Sequence, residues 1–167
     1  FYDDETVTVR PLNMVTNILK QFTKSILMFW TGVTRPSESI LKEQNEKNSK
    51  NAVTLGIIRD HAFELSKLLM NDKFQIRDVG EIMHNSWNLK KSLASGISNS
   101  MINDCYEKAL EVGAFGGKIS GAGGGGFLTL IAMPSSHGKL AEALAKKGLT
   151  KYCFGLDSQG TRVTEII

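Results

Sequence analysis

The stretch that decides the fold is a glycine-rich loop followed by an apolar run, Gly116-Gly117-Lys118-Ile119-Ser120-Gly121-Ala122-Gly123-Gly124-Gly125-Gly126 and then residues 127–132. Fixing a glycine in place costs about 0.5–1 kcal/mol more in chain entropy than fixing an alanine. The uninterrupted glycine run 123–126 is therefore unfavourable as a plain turn, and such runs are typical of places where the backbone approaches a ligand closely. Successive N–H groups without side chains form a concave nest that holds an anion such as phosphate.

Three kinds of phosphate-binding loop compete for this stretch, and they differ in what must surround the glycines. A Walker A loop requires Gly-x4-Gly-Lys-Ser/Thr, whereas Lys118 precedes the glycine run. The spacing Gly121-x-Gly123-x-x-Gly126 satisfies the Rossmann fingerprint, but that loop must open a helix, and here a strand-like apolar run follows. A strand–glycine loop–strand unit needs neither feature. A long hairpin turn without a ligand is the alternative left open.

The regions around the loop carry strand-like and helix-like patterns. Continuous apolar runs predict buried strands at residues 26–31 and 127–132. Apolar residues at helical spacing predict helices at 52–70, 75–93 and 99–112, the last one ended by a glycine. Weaker signals predict strands at 7–12, 151–156 and 161–166, a strand entering the glycine loop, and helices at 37–50 and 134–147. This mixture predicts an α+β fold in one domain, residues 1–167, with a mainly antiparallel sheet and helices on one face.

Composition excludes several classes of protein. The 167 residues are 41% hydrophobic and 22% charged, which is typical of a soluble globular domain. A net charge of +3 without a Lys/Arg block argues against nucleic acid as a partner, and no apolar run reaches membrane-spanning length. The only cysteines, Cys105 and Cys153, lack metal or redox spacing and predict a cytoplasmic location, with a disulfide as the less favoured alternative. The three histidines lie far apart, so no metal site is predicted.

Three polar residues in or before loops are candidates for ligand binding. Arg35 follows a strand end and a glycine, and its planar fork suits a phosphate, such as one already present on a sugar; the alternative is a surface arginine capping the next helix. Lys118 either contacts a phosphate oxygen as a point charge or is a solvated strand lysine. Ser120 either donates to the ligand or satisfies the backbone of the turn.

A second group of candidates lies near the end of the predicted helix 75–93. Trp87 falls on its apolar face, and core packing is its favoured role. Lys90 and Lys91 follow at i+3 and i+4 from Trp87, so both flank that face. One of the two is expected to reach a ligand and the other to be solvated. Ser98 or Asn99 is predicted to cap the next helix.

The segment Lys118-Ile-Ser-Gly-Ala-Gly-Gly-Gly-Gly-Phe127 resembles the third conserved motif of the GHMP kinases, the group of galactokinase, homoserine kinase and mevalonate kinase. That motif lies in the C-terminal domain of the family. Further segments, at residues 31–35, 86–91, 96–99 and 109–114, resemble the D-glycero-D-manno-heptose 7-phosphate kinases. Fucose kinases share part of the Trp-x-x-Lys pattern. The resemblance covers nearly the whole chain.

The resemblance implies a ferredoxin-like C-terminal domain with added helices and a site that uses ATP and Mg²⁺. It implies that the loop lies at a cleft between two domains, near the nucleotide phosphates and the sugar. The binding residues that it and the residue chemistry suggest are Arg35, Lys90, Lys91, Lys118, Ser120, Gly121, Ala122, Gly123, Gly124 and Gly125.

The resemblance also implies that part of a kinase is missing from this chain. The Pro-x-x-x-Gly-Leu-x-Ser-Ser loop of the family, its substrate motif and its catalytic aspartate belong to an N-terminal domain, and none of them occurs here. The chain begins at Phe1 rather than Met, which fits a start partway through a gene product, although a processed N-terminus would look the same. We therefore expect the C-terminal half of a two-domain kinase, with no catalytic residue of its own and negligible turnover in isolation. Its expected partners are its own N-terminal domain, ATP and a sugar phosphate.

The expected reaction is transfer of the γ-phosphoryl group of ATP to the anomeric hydroxyl of D-glycero-D-manno-heptose 7-phosphate, without a covalent enzyme intermediate. Two alternatives stay open. One is another sugar kinase of the same group, acting on fucose or galactose. The other is a ligand-binding ferredoxin-like domain without catalysis.

Overall fold

A computed structural model describes residues 4–9, 11–71, 73–157 and 163 of the chain. The helices within these ranges are α1 (Thr16–Ser25), α2 (Glu38–Glu46), α3 (Asn48–Leu69), α4 (Ile76–Lys91), α5 (Ser100–Val112) and α6 (His137–Ala145), with a 3₁₀ turn at Pro134–Ser136 before α6. The strands are β1 (Ile26–Trp30), β2 (Ala114–Ile119), β3 (Phe127–Ala132) and β4 (Thr150–Tyr152). None of these helices is long and apolar enough to span a membrane.

The strands form one antiparallel sheet in the order β2-β3-β1-β4. Along the chain, β1 is followed by helices, then by the β2–β3 hairpin, α6 and β4. This is the β-α-β-β-α-β arrangement of ferredoxin-like folds, with extra helices inserted between β1 and β2. The predicted α+β class and the ferredoxin-like sheet are confirmed.

Helices cover both faces of the sheet, whereas the sequence predicted helices on one face. Side chains alternate between faces along a strand. Leu130 of β3 faces the larger core cluster, which includes Leu140 of α6 and Ala109 of α5. Its neighbour Ile131 faces a smaller cluster with Val79 of α4 and residues of α1 and α3. Helices α1, α3 and α4 therefore make a second layer.

Several predicted boundaries differ from the observed ones. The predicted strand at 7–12 is wrong for its described residues, which lie in no strand; Pro11 lacks the N–H that a strand ladder needs, and Val9 is 86% exposed. The helices predicted at 37–50 and 52–70 meet at Lys47 rather than near residue 51. The strand predicted at 151–156 is shortened to β4. The strand predicted at 161–166 lies outside the described residues except for Val163.

Two glycines let α4 lie directly on β2. A Cβ on Gly116 would collide with the carbonyl oxygen of Gly80, and a Cβ on Gly80 would collide with Cβ of Phe115. The guanidinium of Arg77 lies over the Phe115 ring, 4.5 Å from its centroid. Because α4 runs close along β2, its C-terminal end reaches the loop that follows this strand.

Candidate functional site

The loop between β2 and β3 has a backbone that only glycine adopts without strain. Gly121, Gly123, Gly124 and Gly126 have φ values of +84°, +116°, +75° and +88°. Gly123 is also closely packed, since a Cβ there would lie 2.6 Å from the carbonyl oxygen of Ile97. A Cβ on Gly125 would lie 2.5 Å from the carbonyl oxygen of Val33. The glycines are thus required both by the backbone angles and by neighbouring chain segments.

Two segments distant in sequence hold this loop through backbone hydrogen bonds. The N–H of Gly126 donates to the carbonyl of Val33, and the N–H of Gly124 donates to the carbonyl of Ile97, both at 2.8 Å. Thr31 donates twice to the carbonyl of Gly126, from its N–H at 3.0 Å and from its hydroxyl at 2.8 Å. The loop therefore has one defined position relative to the segments 31–35 and 94–99.

Other N–H groups of the loop lack an acceptor in the part of the chain that the structure describes. Those of Gly121, Ala122, Gly123 and Gly125 make no hydrogen bond to any of the described residues. Backbone N–H groups are nearly always paired in folded proteins, with protein, solvent or ligand. Unpaired N–H groups on successive residues are the donors of an anion nest. The loop has the donors that such a nest requires.

Two lysines lie at the Gly121 end of the loop. Lys90, the penultimate residue of α4, donates from Nζ to the carbonyl of Gly121 at 2.6 Å. Lys90 is half-buried; this burial and then the nearby charge of Lys118 lower its pKa. Lys118 itself is exposed on β2, opposite Thr129. Neither lysine has a carboxylate partner among the described residues, so this end of the loop carries uncompensated positive charge.

Arg35 lies at the other end of the loop. Its Nη1 is 3.1 Å from the position that a Cβ on Gly96 would occupy, and its Cδ is 3.1 Å from the corresponding position on Gly124. The side chain therefore rests on the backbone of both glycines. It makes no ion pair or hydrogen bond with the described residues, and so it does not cap α2. Arg35 and the Lys90–Lys118 pair lie on different parts of one loop.

Two further candidates are Ser120, the first residue of the loop, and Lys91, the last residue of α4. The hydroxyl of Ser120 is 2.9 Å from that of Thr129, so it pairs with a side chain of β3 rather than with the backbone of the turn. Lys91 has no hydrogen bond or ion pair with any described residue, so of the two adjacent lysines only Lys90 contacts the loop.

Trp87, Ser98 and Asn99 flank the loop, and the structure shows the role of each. Trp87 is fully buried, as predicted, and its Nε1 has no hydrogen-bond partner among the described residues. Asn99 caps α5, because its Oδ1 accepts the N–H of Ile102 at 2.9 Å. Ser98, the alternative cap, donates instead to the side chain of Asn103.

Sequence reasoning missed the residues that hold the loop from outside. Val33 and Ile97 act through backbone carbonyls, which carry no residue-type signal, and Thr31 acts through both its N–H and its hydroxyl. For Gly96 the residue type itself was an available signal, because a Cβ there would lie 3.1 Å from both Arg35 and Ile40.

One groove elsewhere on the described surface carries negative charge and does not suit an anion. This groove of about 360 Å³ lies between α3 and α4, and its lining includes three acidic residues, Glu64, Asp78 and Glu81. No group of three His, Cys, Asp or Glu side chains within the described ranges is arranged to hold a metal ion. Cys105 and Cys153 are both free, so the alternative of a disulfide between them is wrong.

Comparisons with known proteins identify the family of this region. Residues 67–149, which include the glycine loop, match the family described as GHMP kinases C terminal. The resemblance inferred from the sequence is confirmed. Over 164 residues, 97% of this chain and 48% of the relative, the sequence is 27% identical to the D-glycero-alpha-D-manno-heptose 7-phosphate kinase of Campylobacter jejuni.

Two more proteins show how widely this domain is used. The mevalonate kinase of Thermococcus gammatolerans is 28% identical over 69% of this chain and 34% of its own length. The phosphomevalonate kinase of Streptococcus pneumoniae, solved with phosphomevalonate and AMPPNP, superposes with a TM-score of 0.64 at 20% identity, over 75% of this chain and 37% of that chain. This chain thus spans about half the length of the heptose phosphate kinase and about a third of the length of the mevalonate kinase.

Proposed function

From the GHMP kinase C-terminal domain at residues 67–149, we propose that this chain is the C-terminal half of a two-domain ATP-dependent kinase whose acceptor is a sugar phosphate. The proposal rests above all on one observation: a fixed glycine loop lies between cations, and neither its free N–H groups nor these cations have a partner for their charge among the described residues. Such a loop suits the charge of a phosphoryl group. Phosphoryl transfer depends mainly on positioning and on charge stabilisation, and these are what the loop supplies.

The parts of the loop have distinct roles in this proposal. The unpaired N–H groups of Gly121, Ala122, Gly123 and Gly125 donate to phosphate oxygens. Lys90 holds the carbonyl of Gly121 and places positive charge beside it, together with Lys118. These groups stabilise the charge that spreads over the phosphoryl oxygens during transfer.

Arg35 is proposed to bind the phosphate that the acceptor already carries. Its side chain lies at Gly124 and Gly96, away from the Gly121 end, and its guanidinium has no protein partner among the described residues. An arginine can bind a phosphate through two parallel N–H bonds. Lys91 and Ser120 stay predicted ligand contacts, with less support from the geometry.

The donor atoms at the loop fit phosphate and do not fit Mg²⁺. Magnesium prefers oxygen ligands such as carboxylates and phosphates, whereas the loop offers N–H groups and cations. We therefore assign Mg²⁺ binding to the nucleotide phosphates and to protein residues outside the described part of this chain. The base that activates the acceptor hydroxyl is assigned to the N-terminal domain as well.

The favoured acceptor is D-glycero-D-manno-heptose 7-phosphate, and the favoured reaction is direct transfer to its anomeric hydroxyl. The support is the 27% identity to a kinase of that name over 97% of this chain. The free cysteines support a cytoplasmic setting. The second similarity, to mevalonate kinase, covers a smaller share of this chain.

The test is ADP release by the full-length parent protein with ATP and Mg²⁺. Acceptors would be D-glycero-D-manno-heptose 7-phosphate, fucose, galactose and mevalonate, and the isolated chain would serve as the control expected to be inactive. Release with the heptose phosphate alone supports the proposal in full. Release with another acceptor keeps the kinase and rejects the substrate. No release with any acceptor rejects the kinase and favours a binding domain without catalysis.

A further inference from the structure

Helix α2 contacts the glycine loop from the side of segment 94–99. Ile40 of α2 is 1% exposed. Its Cγ1 lies 3.1 Å from the position of a Cβ on Gly96, and its Cδ1 lies 3.3 Å from that on Gly124. One apolar side chain thus packs against both backbone segments that meet there. Nothing in the sequence motif of the loop points to this helix.

A carboxylate on the same helix binds segment 94–99 directly. Glu43 Oε1 accepts the N–H of Ser95 at 3.0 Å, and Oε2 accepts its hydroxyl at 2.8 Å. Lys47, the residue between α2 and α3, donates to Glu43 Oε1 at 2.6 Å. The hydrogen bond from Lys47, followed by those from Ser95, lowers the pKa of Glu43 to about 2. The carboxylate is therefore ionised at neutral pH, and both of its oxygens accept hydrogen bonds.

Segment 94–99, held by Glu43, is in turn hydrogen-bonded to the glycine loop. Two residues after Ser95, the carbonyl of Ile97 accepts the N–H of Gly124. The start of the segment is held separately, because Asn51 of α3 donates to the carbonyl of Leu93 at 3.0 Å. A continuous path of contacts thus runs from Glu43 through Ser95 and Ile97 to Gly124.

We propose that Glu43 is a positioning residue: through Ser95 and Ile97 it fixes the glycine loop in the conformation that binds an anion. Glu43 touches no ligand in this arrangement. Its effect on catalysis rests on the proposed function, whereas its effect on the loop does not. Without the carboxylate, segment 94–99 is held mainly by Ile40 and Asn51, and the hydrogen bond from the Gly124 N–H to the Ile97 carbonyl breaks more often.

The test compares Glu43→Ala with Glu142→Ala in this chain. Glu142 forms the same kind of i,i+4 pair, with Lys146 at 2.7 Å on α6, but has no contact with the loop. Amide hydrogen exchange would be followed by NMR at Gly124, Ser95 and Leu130. We expect Glu43→Ala to speed exchange at Ser95 and Gly124 about tenfold, the usual scale for losing a charge-assisted hydrogen bond. Leu130 and the Glu142→Ala variant should be unchanged.

A second readout separates positioning from general stability. Binding of pyrophosphate, measured by calorimetry, should weaken several-fold in Glu43→Ala and recover in part in Glu43→Gln, whose side-chain oxygen still accepts the Ser95 N–H. Equal acceleration at Leu130 and Gly124, or unchanged exchange at Gly124, would overturn the proposal. If the unmodified chain binds no pyrophosphate, the proposed function is weakened, but the exchange rates still decide the role of Glu43.

Discussion

Replacing single glycines of the loop by alanine separates backbone strain from steric collision. Gly121 has a φ of +84° and nothing within 4 Å of an added Cβ. Gly123 has a φ of +116° and would place a Cβ 2.6 Å from the Ile97 carbonyl oxygen and 2.7 Å from its Cα. Gly121→Ala should therefore cost only the free energy of the unfavourable backbone angle. Gly123→Ala adds a collision with main-chain atoms of Ile97.

The expected magnitudes follow from these two terms. A left-handed backbone angle costs a residue with a Cβ about 1–2 kcal/mol, so Gly121→Ala should lower the free energy of unfolding by that amount. Overpacking adds about 1–3 kcal/mol, so Gly123→Ala should lower it by about 2–5 kcal/mol. Gly56, within α3, has neither a positive φ nor a close neighbour. Gly56→Ala should stabilise the chain by up to about 1 kcal/mol because alanine favours helix.

The assay is urea denaturation of the three variants and the unmodified chain, followed by circular dichroism. The slope of the free energy of unfolding against urea concentration should be the same for all four proteins if the substitutions leave the compactness of the folded and unfolded states unchanged. A difference between Gly121→Ala and Gly123→Ala below about 0.5 kcal/mol, the usual error of additivity, would refute the inference that the Ile97 backbone packs against the loop.

Three other predictions test separate features. Asn99→Ala should lower the free energy of unfolding by about 1 kcal/mol because α5 loses its N-cap, whereas Asn99→Asp should keep most of it; urea denaturation of both measures this. The stabilising contribution of Glu43 should be present above its unfolded pKa near 4.5 and disappear as pH falls towards its folded pKa of about 2, so the difference in melting temperature between Glu43→Gln and the unmodified chain should vanish over that range. In the full-length parent protein, the proposed kinase activity gives the last test. Arg35→Gln should raise KM for a phosphorylated acceptor at least tenfold and leave KM for ATP unchanged, while Lys90→Met should mainly lower kcat. An equal rise in KM for ATP and acceptor in Arg35→Gln would place Arg35 at the nucleotide instead.

Local patterns in the sequence were sufficient for the elements nearest the site. The predicted strand at 127–132 is β3, and the helix predicted at 99–112 is α5 with its Asn99 cap and Gly113 end. These features depend on residues close together in the chain, namely apolar periodicity, a capping side chain and a glycine with a positive φ. The strand predicted at 7–12 failed because its weak alternation had no neighbouring strand to pair with among the described residues.

The sequence by itself determined that a glycine loop joins two strands and that cations occur near it. Only the tertiary structure decided that Lys90 rather than Lys91 contacts this loop, because adjacent residues on a helix point about 100° apart and the packing of α4 on β2 sets which one faces it. Only the tertiary structure brought Val33, Ile97 and Glu43 to the loop. Two of these act through backbone carbonyls, which every residue type possesses, and so no pattern of side chains could have predicted them.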